Sequence, residues 1–218
     1  MHLVVLAQRG GWVAIDKPPG LLVIPGRTPD DQLCAKTLLE GQLKTRIWVC
    51  HRIDRETSGV VLFATDADAH RTASMAFEHG EAKKRYLALV EGRVEAPLEI
   101  DAPIAEGRKG KMRVAFPGEE GKPARTIVKP VKVFPGSNAS LVECEPLTGR
   151  QHQIRVHLKS KGHPLLFDHH YGRKEPLTVA PGVTLARTPL HAAKLTLKDF
   201  EVEAPLAADL QRVIDALQ

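Results

Sequence analysis

Ile47-Trp48-Val49-Cys50-His51-Arg52-Ile53-Asp54-Arg55-Glu56-Thr57-Ser58-Gly59-Val60-Val61-Leu62-Phe63-Ala64 sets a polar insert between two short apolar runs. The runs 47–50 and 60–64 are rich in β-branched and other apolar side chains, which predicts two strands joined by a tight connection. A rigid scaffold on both sides therefore holds Asp54. Arg52 and Arg55 flank it, and nearby cations favour an ionised carboxylate. Asp54 is available as a nucleophile or a base. The bland alternative is an ion pair that merely ties down a loop, and other parts of the chain must separate the two readings.

Composition narrows the class. At 218 residues, 43% of them hydrophobic, the chain is long enough for one good core or two small lobes, and a disordered or fibrous protein is excluded. A net charge of +5 suggests an anionic partner, because a basic surface raises the local concentration of polyanions. Cys34, Cys50 and Cys144 are an odd, widely spaced set, which argues against a disulfide framework or a zinc ribbon and for a reducing compartment. The apolar run at the N-terminus reaches Gln8-Arg9 after a few residues, with no basic leader and no span near ~20 apolar residues. A soluble, cytoplasmic protein without membrane contact is expected.

Strand-like runs at 3–7, 12–16 and 21–24 are separated by Gly10-Gly11 and Lys17-Pro18-Pro19-Gly20, which are turns. Helices are predicted over 31–43, with Pro29-Asp30 as a start signal, and over 67–79, with Asp66 as N-cap and Gly80 as the stop. A strand is predicted over 84–90, and 98–146 reads as several strands broken by glycines, with basic stretches at 108–113 and 122–132. A helix is expected over 150–161, strands over 165–167 and 190–197, and a last amphipathic helix over 206–217 behind Pro205. Mixed strands and helices without a composition break predict one α+β domain over 1–218, with a mostly antiparallel sheet and flanking helices.

Two further segments carry chemistry. In Thr148-Gly149-Arg150-Gln151-His152-Gln153-Ile154-Arg155-Val156-His157, helical spacing puts Gln151, Arg155 and Lys159 on one cationic face with His152, so Arg155 could reach a carboxylate or phosphate. A solvated basic face is the plain alternative. In Lys83-Lys84-Arg85-Tyr86, an aromatic opens a hydrophobic strand directly after three cations, which suits base stacking; a core tyrosine is the competing reading.

Together, His51-Arg52-Ile53-Asp54 with Thr57-Ser58-Gly59, then Lys84-Arg85-Tyr86, then residues 148–157, resemble the three ordered motifs of the RluA-type RNA pseudouridine synthases. Lys17-Pro18-Pro19-Gly20 and Leu190-His191-Ala192 resemble two lesser signatures of that family. Ile53 stands where Leu is usual, and Phe167 stands before Asp168 where the family typically has Gly. The resemblance implies a pseudouridine synthase fold with a central catalytic cleft, Asp54 as the catalytic aspartate, Tyr86 as the aromatic that stacks on the target base, and Arg155 as the cation paired with Asp54. It also implies that Arg52 holds or replaces a flipped uridine, that Arg150 touches phosphate, and that Thr57, His152 and Gln153 contact substrate. The expected substrate is structured RNA, ribosomal or transfer. No S4-type domain is expected before residue 17.

Isomerising uridine breaks the N1–C1′ bond and joins C5 to C1′ with no net redox change, so no cofactor is expected. Asp54 could attack C1′ or the base, or remove the 2′ proton to give a glycal; the residues leave these routes open. A metal-dependent hydrolase is suggested by ten histidines and by Asp168-His169-His170, but it fails on spacing: His-Glu-x-x-His and Pro-Cys-x-x-Cys are absent. No metal is expected. A catalytically silent RNA-binding module of the same fold is the other alternative. The joint presence of Asp54, Tyr86 and Arg155 argues against it, because binding a polyanion does not need a carboxylate. A monomer without a protein partner is expected.

Overall fold

The computed structural model describes the backbone of residues 1–218 and the side chains of all but Asp30 and Lys109. The helix start signal at Asp30 and the Lys109 part of the basic stretch thus lie outside the described side chains. In chain order the elements are β1 (Val4–Arg9), β2 (Trp12–Lys17), α1 (Ala35–Leu43), β3 (Trp48–Val49), β4 (Ser58–Ala64), α2 (Ala67–Glu78) and β5 (Lys83–Glu91). They continue as β6 (Leu98–Asp101), β7 (Ile104–Glu106), β8 (Met112–Val114), β9 (Arg125–Phe134), β10 (Ala139–Pro146) and α3 (Gln153–Ser160). The chain ends with β11 (Leu177–Ala180), β12 (Val183–Leu185), β13 (Leu190–Leu197), β14 (Phe200–Glu203) and α4 (Ala208–Ala216). This is a mixed α+β fold with mostly antiparallel pairing, as the alternation of strand and helix patterns predicts. Two compact units divide the chain: Met1–Lys84 with His191–Ala207, and Arg85–Leu190 with Ala208–Gln218.

The first unit is built around β4, all of whose side chains are buried, which is why it reads as a continuous apolar run and not as an alternation. β2 lies antiparallel along it, from Trp12 opposite Ala64 to Lys17 opposite Gly59. On the other edge β3 pairs with Phe63 and Ala64, and the start of β13 pairs in parallel with Ser58 and Gly59. One face buries Ala69, Ala73 and Ala76 of α2 with Leu62, Leu195 and Phe200; the other buries Leu39 of α1 with Ile15, Val61 and Phe63. Full burial of one side chain such as Phe63 stabilises the unit by about 2–3 kcal/mol. The α2 cap stands as predicted, with Asp66 Oδ1 accepting from the Ala69 amide at 2.8 Å.

The helix expected over 31–43 begins only at Ala35. A 3₁₀ turn occupies Pro29–Asp31, and Cys34 with Thr37 forms the capping box that starts α1. The strand expected over 21–24 is replaced by a single bridge between Leu22 and Cys34. The carbonyls of Leu22 and Val23 instead accept the amides of Ala35 (2.8 Å) and Lys36 (3.1 Å), which the open end of a helix needs.

The second unit is an antiparallel array in the order β5, β10, β9, β6, with Tyr86 opposite Cys144 and the hairpin β7–β8 nearby in sequence. Residues 165–167 make only a bridge, Leu165 to Val90. α4 is shorter than predicted, and its first turn carries Asp209, held by Arg187 through Nε–Oδ2 (2.6 Å) and Nη2–Oδ1 (2.9 Å). The helix expected over 150–161 spans only Gln153–Ser160, because His152 adopts φ 54° and breaks the helical path. The solvated basic face, the plain alternative for this helix, is not found: every residue from Gln153 through Leu158 is buried, Arg155 and His157 included.

Candidate active site

In the first unit, Asp54 opens a turn closed by the Thr57 amide donating to the Asp54 carbonyl at 3.1 Å. What holds this turn is Lys17. Its side chain is fully buried, and its ammonium donates to the carbonyls of Pro18 (2.8 Å), Leu21 (2.8 Å) and Arg55 (2.9 Å). Gly20 N donates to the same Arg55 carbonyl at 2.9 Å. The Lys17-Pro18-Pro19-Gly20 segment is therefore a clamp on the backbone one residue after Asp54. A buried ammonium is tolerated only with such partners.

The far side of the turn is fixed by β4 and β13. Gly59 has φ +104°, and a Cβ there would lie 2.2 Å from the Ala192 carbonyl oxygen, so the parallel pairing at this point admits only glycine. Ser58 Oγ lies 2.9 Å from His191 Nδ1, both side chains being buried, and His191 Nε2 is 3.4 Å from the Ala204 carbonyl. A proton on Nε2 serves that carbonyl and leaves Nδ1 to accept from the serine. His51 Nε2 accepts from the Leu62 amide at 3.0 Å, and its ring packs 4.8 Å from that of Phe77. Burial, with a smaller push from the Lys84 charge, brings this imidazole down to about 3, so it is neutral at physiological pH.

The Arg55 side chain forms an ion pair with Asp31, so its guanidinium is engaged away from the flanking role that sequence order suggested. Arg52 is exposed and Asp54 half-buried. The Thr57 hydroxyl is buried and has no hydrogen-bond partner among the described residues.

In the second unit, Tyr86 lies on β5 with only 9% of its surface exposed. Arg155 is bound edge-on by Asp168, Nε to Oδ2 and Nη2 to Oδ1 both at 2.8 Å, and its guanidinium carbon sits 4.9 Å from the Tyr171 ring centroid. Burial would raise the Asp168 carboxyl, but the Arg155 hydrogen bonds and charge and the amides of His170 and Tyr171 outweigh it and hold the carboxyl below its ordinary range. Asp168 is thus the bidentate partner of Arg155, a role the sequence reading had not assigned.

Gln153 uses its whole amide on the protein. Oε1 accepts from Thr148 Oγ1 (2.7 Å) and the Arg150 amide (3.0 Å), while Nε2 donates to the Arg125 carbonyl (2.9 Å) and to Thr126 Oγ1 on β9 (3.0 Å). Its four hydrogen-bonding positions are filled, so its part in the site is to shape the 148–152 loop. Arg150 is exposed, with Nε donating to the Pro123 carbonyl at 2.9 Å. His152 Nδ1 lies 2.6 Å from the Tyr171 hydroxyl, which itself accepts the Met112 amide at 2.9 Å. His157 bridges Thr126 Oγ1 and the Ala102 carbonyl, both at 2.9 Å, as a core residue.

The sequence reading placed Lys17 and His191 in two lesser family signatures but gave neither them nor Asp168 and Tyr171 a part in building the site. Asp168 carried a signal, a carboxylate thirteen residues after Arg155 in a His-rich run, but that run pointed to metal. Among the described residues, no group of three or more His, Cys, Asp or Glu side chains is placed to hold a metal ion.

Comparison with solved structures identifies the class. The human RNA pseudouridylate synthase domain containing 4 superposes with a TM-score of 0.79 at 26% identity, covering 98% of this chain and 92% of that one. The human RNA pseudouridylate synthase domain containing 1 gives 0.77 at 24% identity, a likeness of fold. The fold is that of the pseudouridine synthases.

Residues 11–160 match the family described as RNA pseudouridylate synthase. The dual-specificity RNA pseudouridine synthase RluA of Salmonella typhi is 37% identical over 202 residues, 89% of this chain and 86% of that protein. The ribosomal large subunit pseudouridine synthase D of Nitrosomonas europaea is 36% identical over 228 residues, 99% of this chain and 65% of that protein's length. This chain belongs to the RNA pseudouridine synthase family, a family of isomerases.

Proposed function

We propose that this chain converts specific uridines in structured ribosomal or transfer RNA to pseudouridine, with Asp54 as the catalytic carboxylate acting on a flipped-out uridine. The observation that carries the reading is the support under Asp54: a buried ammonium, a glycine-only strand pairing and a buried Ser58–His191 contact all fix the short turn that bears it. A loop that served only as a surface connection would not need such support, whereas a reacting carboxylate must be held in one position.

Uridine leaves its stack at a cost of a few kcal/mol, offset by stacking on an aromatic and by phosphate contacts. Tyr86 is the aromatic in this reading and Arg155 the cation of the reaction. Arg52 holds or replaces the flipped uridine, Arg150 contacts phosphate, and Thr57 and His152 line the substrate. The N1–C1′ bond breaks, C5 bonds to C1′, and the C5 proton is lost to solvent while N1 gains one, so the isomerisation balances without an oxidant or a second substrate. Attack by Asp54 at C1′, attack on the base, and removal of the 2′ proton all need the same ionised carboxylate.

The test is Asp54→Asn, assayed for pseudouridine in cellular RNA and for binding to the modified transcript. Activity is expected to disappear with RNA affinity kept within about threefold, since the carboxylate contributes little to polyanion binding. Wild-type turnover in that variant would remove Asp54 from the chemistry, and RNA binding without pseudouridine formation by the unaltered chain would favour a binding module.

A further inference from the structure

We infer that Asp168 and Tyr171 are positioning residues that lock the orientation of the Arg155 guanidinium for the isomerisation, a role that rests on the reading of Arg155 as the cation of the reaction.

The carboxylate cannot turn. Besides the two Arg155 bonds, Asp168 Oδ1 accepts from the amides of His170 (3.0 Å) and Tyr171 (3.1 Å), so both oxygens have fixed donors. The loop that bears it is closed by the Gly172 amide donating to the Asp168 carbonyl at 2.7 Å, and by the Asp168 amide donating to the Arg173 carbonyl at 3.1 Å. With Nε and Nη2 of Arg155 held in parallel at 2.8 Å, the guanidinium plane has one orientation.

Tyr171 fixes the remaining freedom. Its ring lies under the guanidinium, and its hydroxyl is held between two groups: it accepts the Met112 amide and shares a hydrogen bond with His152 Nδ1. The second bond reaches into the 148–152 loop, where His152 sits in the left-handed region at φ 54°. That conformation costs a non-glycine residue about 1–2 kcal/mol and needs tertiary support. One hydroxyl therefore couples the pose of the guanidinium to the shape of the motif loop.

Stability alone is a poor reason for this arrangement. Arg155 and Asp168 are 4% and 1% exposed, and a buried ion pair gains little over apolar residues of the same volume once both charges have lost their water. Orientation is what a bidentate, ring-backed guanidinium supplies that an apolar pair does not. Phe167, the residue before Asp168, is likewise buried.

The experiment uses the full chain and a transcript of an RNA that the wild type modifies, with kcat, KM and urea unfolding measured for Asp168→Asn, Tyr171→Phe, Arg155→Gln and the double variant Arg155→Gln/Asp168→Asn. Asp168→Asn is expected to lower kcat by about tenfold or more with KM within about twofold, because misplacing a catalytic partner by an ångström or less costs that much. Tyr171→Phe, which keeps the ring and removes only the tether, is expected to lower kcat about threefold or more and serves if Asp168→Asn does not fold. In the Arg155→Gln background Asp168→Asn should not slow turnover further, since a residue acting only through Arg155 has nothing left to act on. Wild-type kcat in folded Asp168→Asn or Tyr171→Phe, or losses that multiply with that of Arg155→Gln, would overturn the inference while leaving Arg155 in the chemistry. Wild-type kcat in Arg155→Gln itself would instead overturn the reading of the site on which the inference rests.

Discussion

Lys17→Met removes an ammonium and keeps most of the buried stem, so its effect reports chiefly on the carbonyl contacts at Pro18, Leu21 and Arg55. A hydrogen bond to a charged group contributes about 1.5–3 kcal/mol, which puts the upper limit for three at roughly 4.5–9 kcal/mol. Two effects reduce that figure. The Arg55 carbonyl keeps the Gly20 amide, and the variant no longer has to desolvate a cation. A net loss of about 3 kcal/mol is expected, or a fall in Tm of about 6–12 °C for a chain of this size. Urea unfolding followed by tryptophan fluorescence measures it, because Trp12 and Trp48 both flank β4. The same variant loosens the turn after Asp54, so kcat should fall about tenfold or more while RNA affinity stays within about twofold. An unchanged urea midpoint together with unchanged kcat would refute the clamp.

Gly59→Ala should cost about 3 kcal/mol or more, since its Cβ would meet the Ala192 backbone at 2.2 Å in a left-handed conformation, whereas Gly41→Ala, exposed in α1 with open space around it, should stabilise by about 0.5–1 kcal/mol. Paired urea titrations check both, and a neutral Gly59→Ala would mean that β13 is free to move off β4. Stability should also fall on mild acidification. The folded-state value of His51 lies far below its unfolded value, so the unfolded chain binds the extra proton; the contribution is complete above pH 6.5 and is lost as pH falls from there towards about 3. The slope is about 1.4 kcal/mol per pH unit below 6, and His157, also lowered by burial, adds in the same direction. Unfolding free energies at pH 7, 6 and 5 should show this slope, reduced in His51→Gln; equal pH dependence in the two proteins would place the effect elsewhere.

Local signals in the chain reach some way into the fold. The β-branched run of β4 and the Asp66 cap of α2 were legible because each depends on a few adjacent residues. The ends of α1 and α3 were not, because a capping box at Cys34 and a left-handed His152 override helical periodicity in favour of contacts made elsewhere. By spacing alone Arg155 could reach a carboxylate or sit on a solvated face; burial against Asp168 decides for the first.

By itself the sequence determined the chemistry on offer: an aspartate flanked by two arginines between two apolar runs, an aromatic after a cationic run, and an arginine on a compact helix, in an order that marks the family. Tertiary structure decided the partners. Arg55 goes to Asp31, Gln153 turns inward, Asp168 takes Arg155, and Lys17 holds the turn after Asp54 from the far end of β2. The physical reason is that a charged or amide group has many possible partners along a chain of this composition. Which one it meets depends on strand register and burial, and both are set by residues distant in sequence.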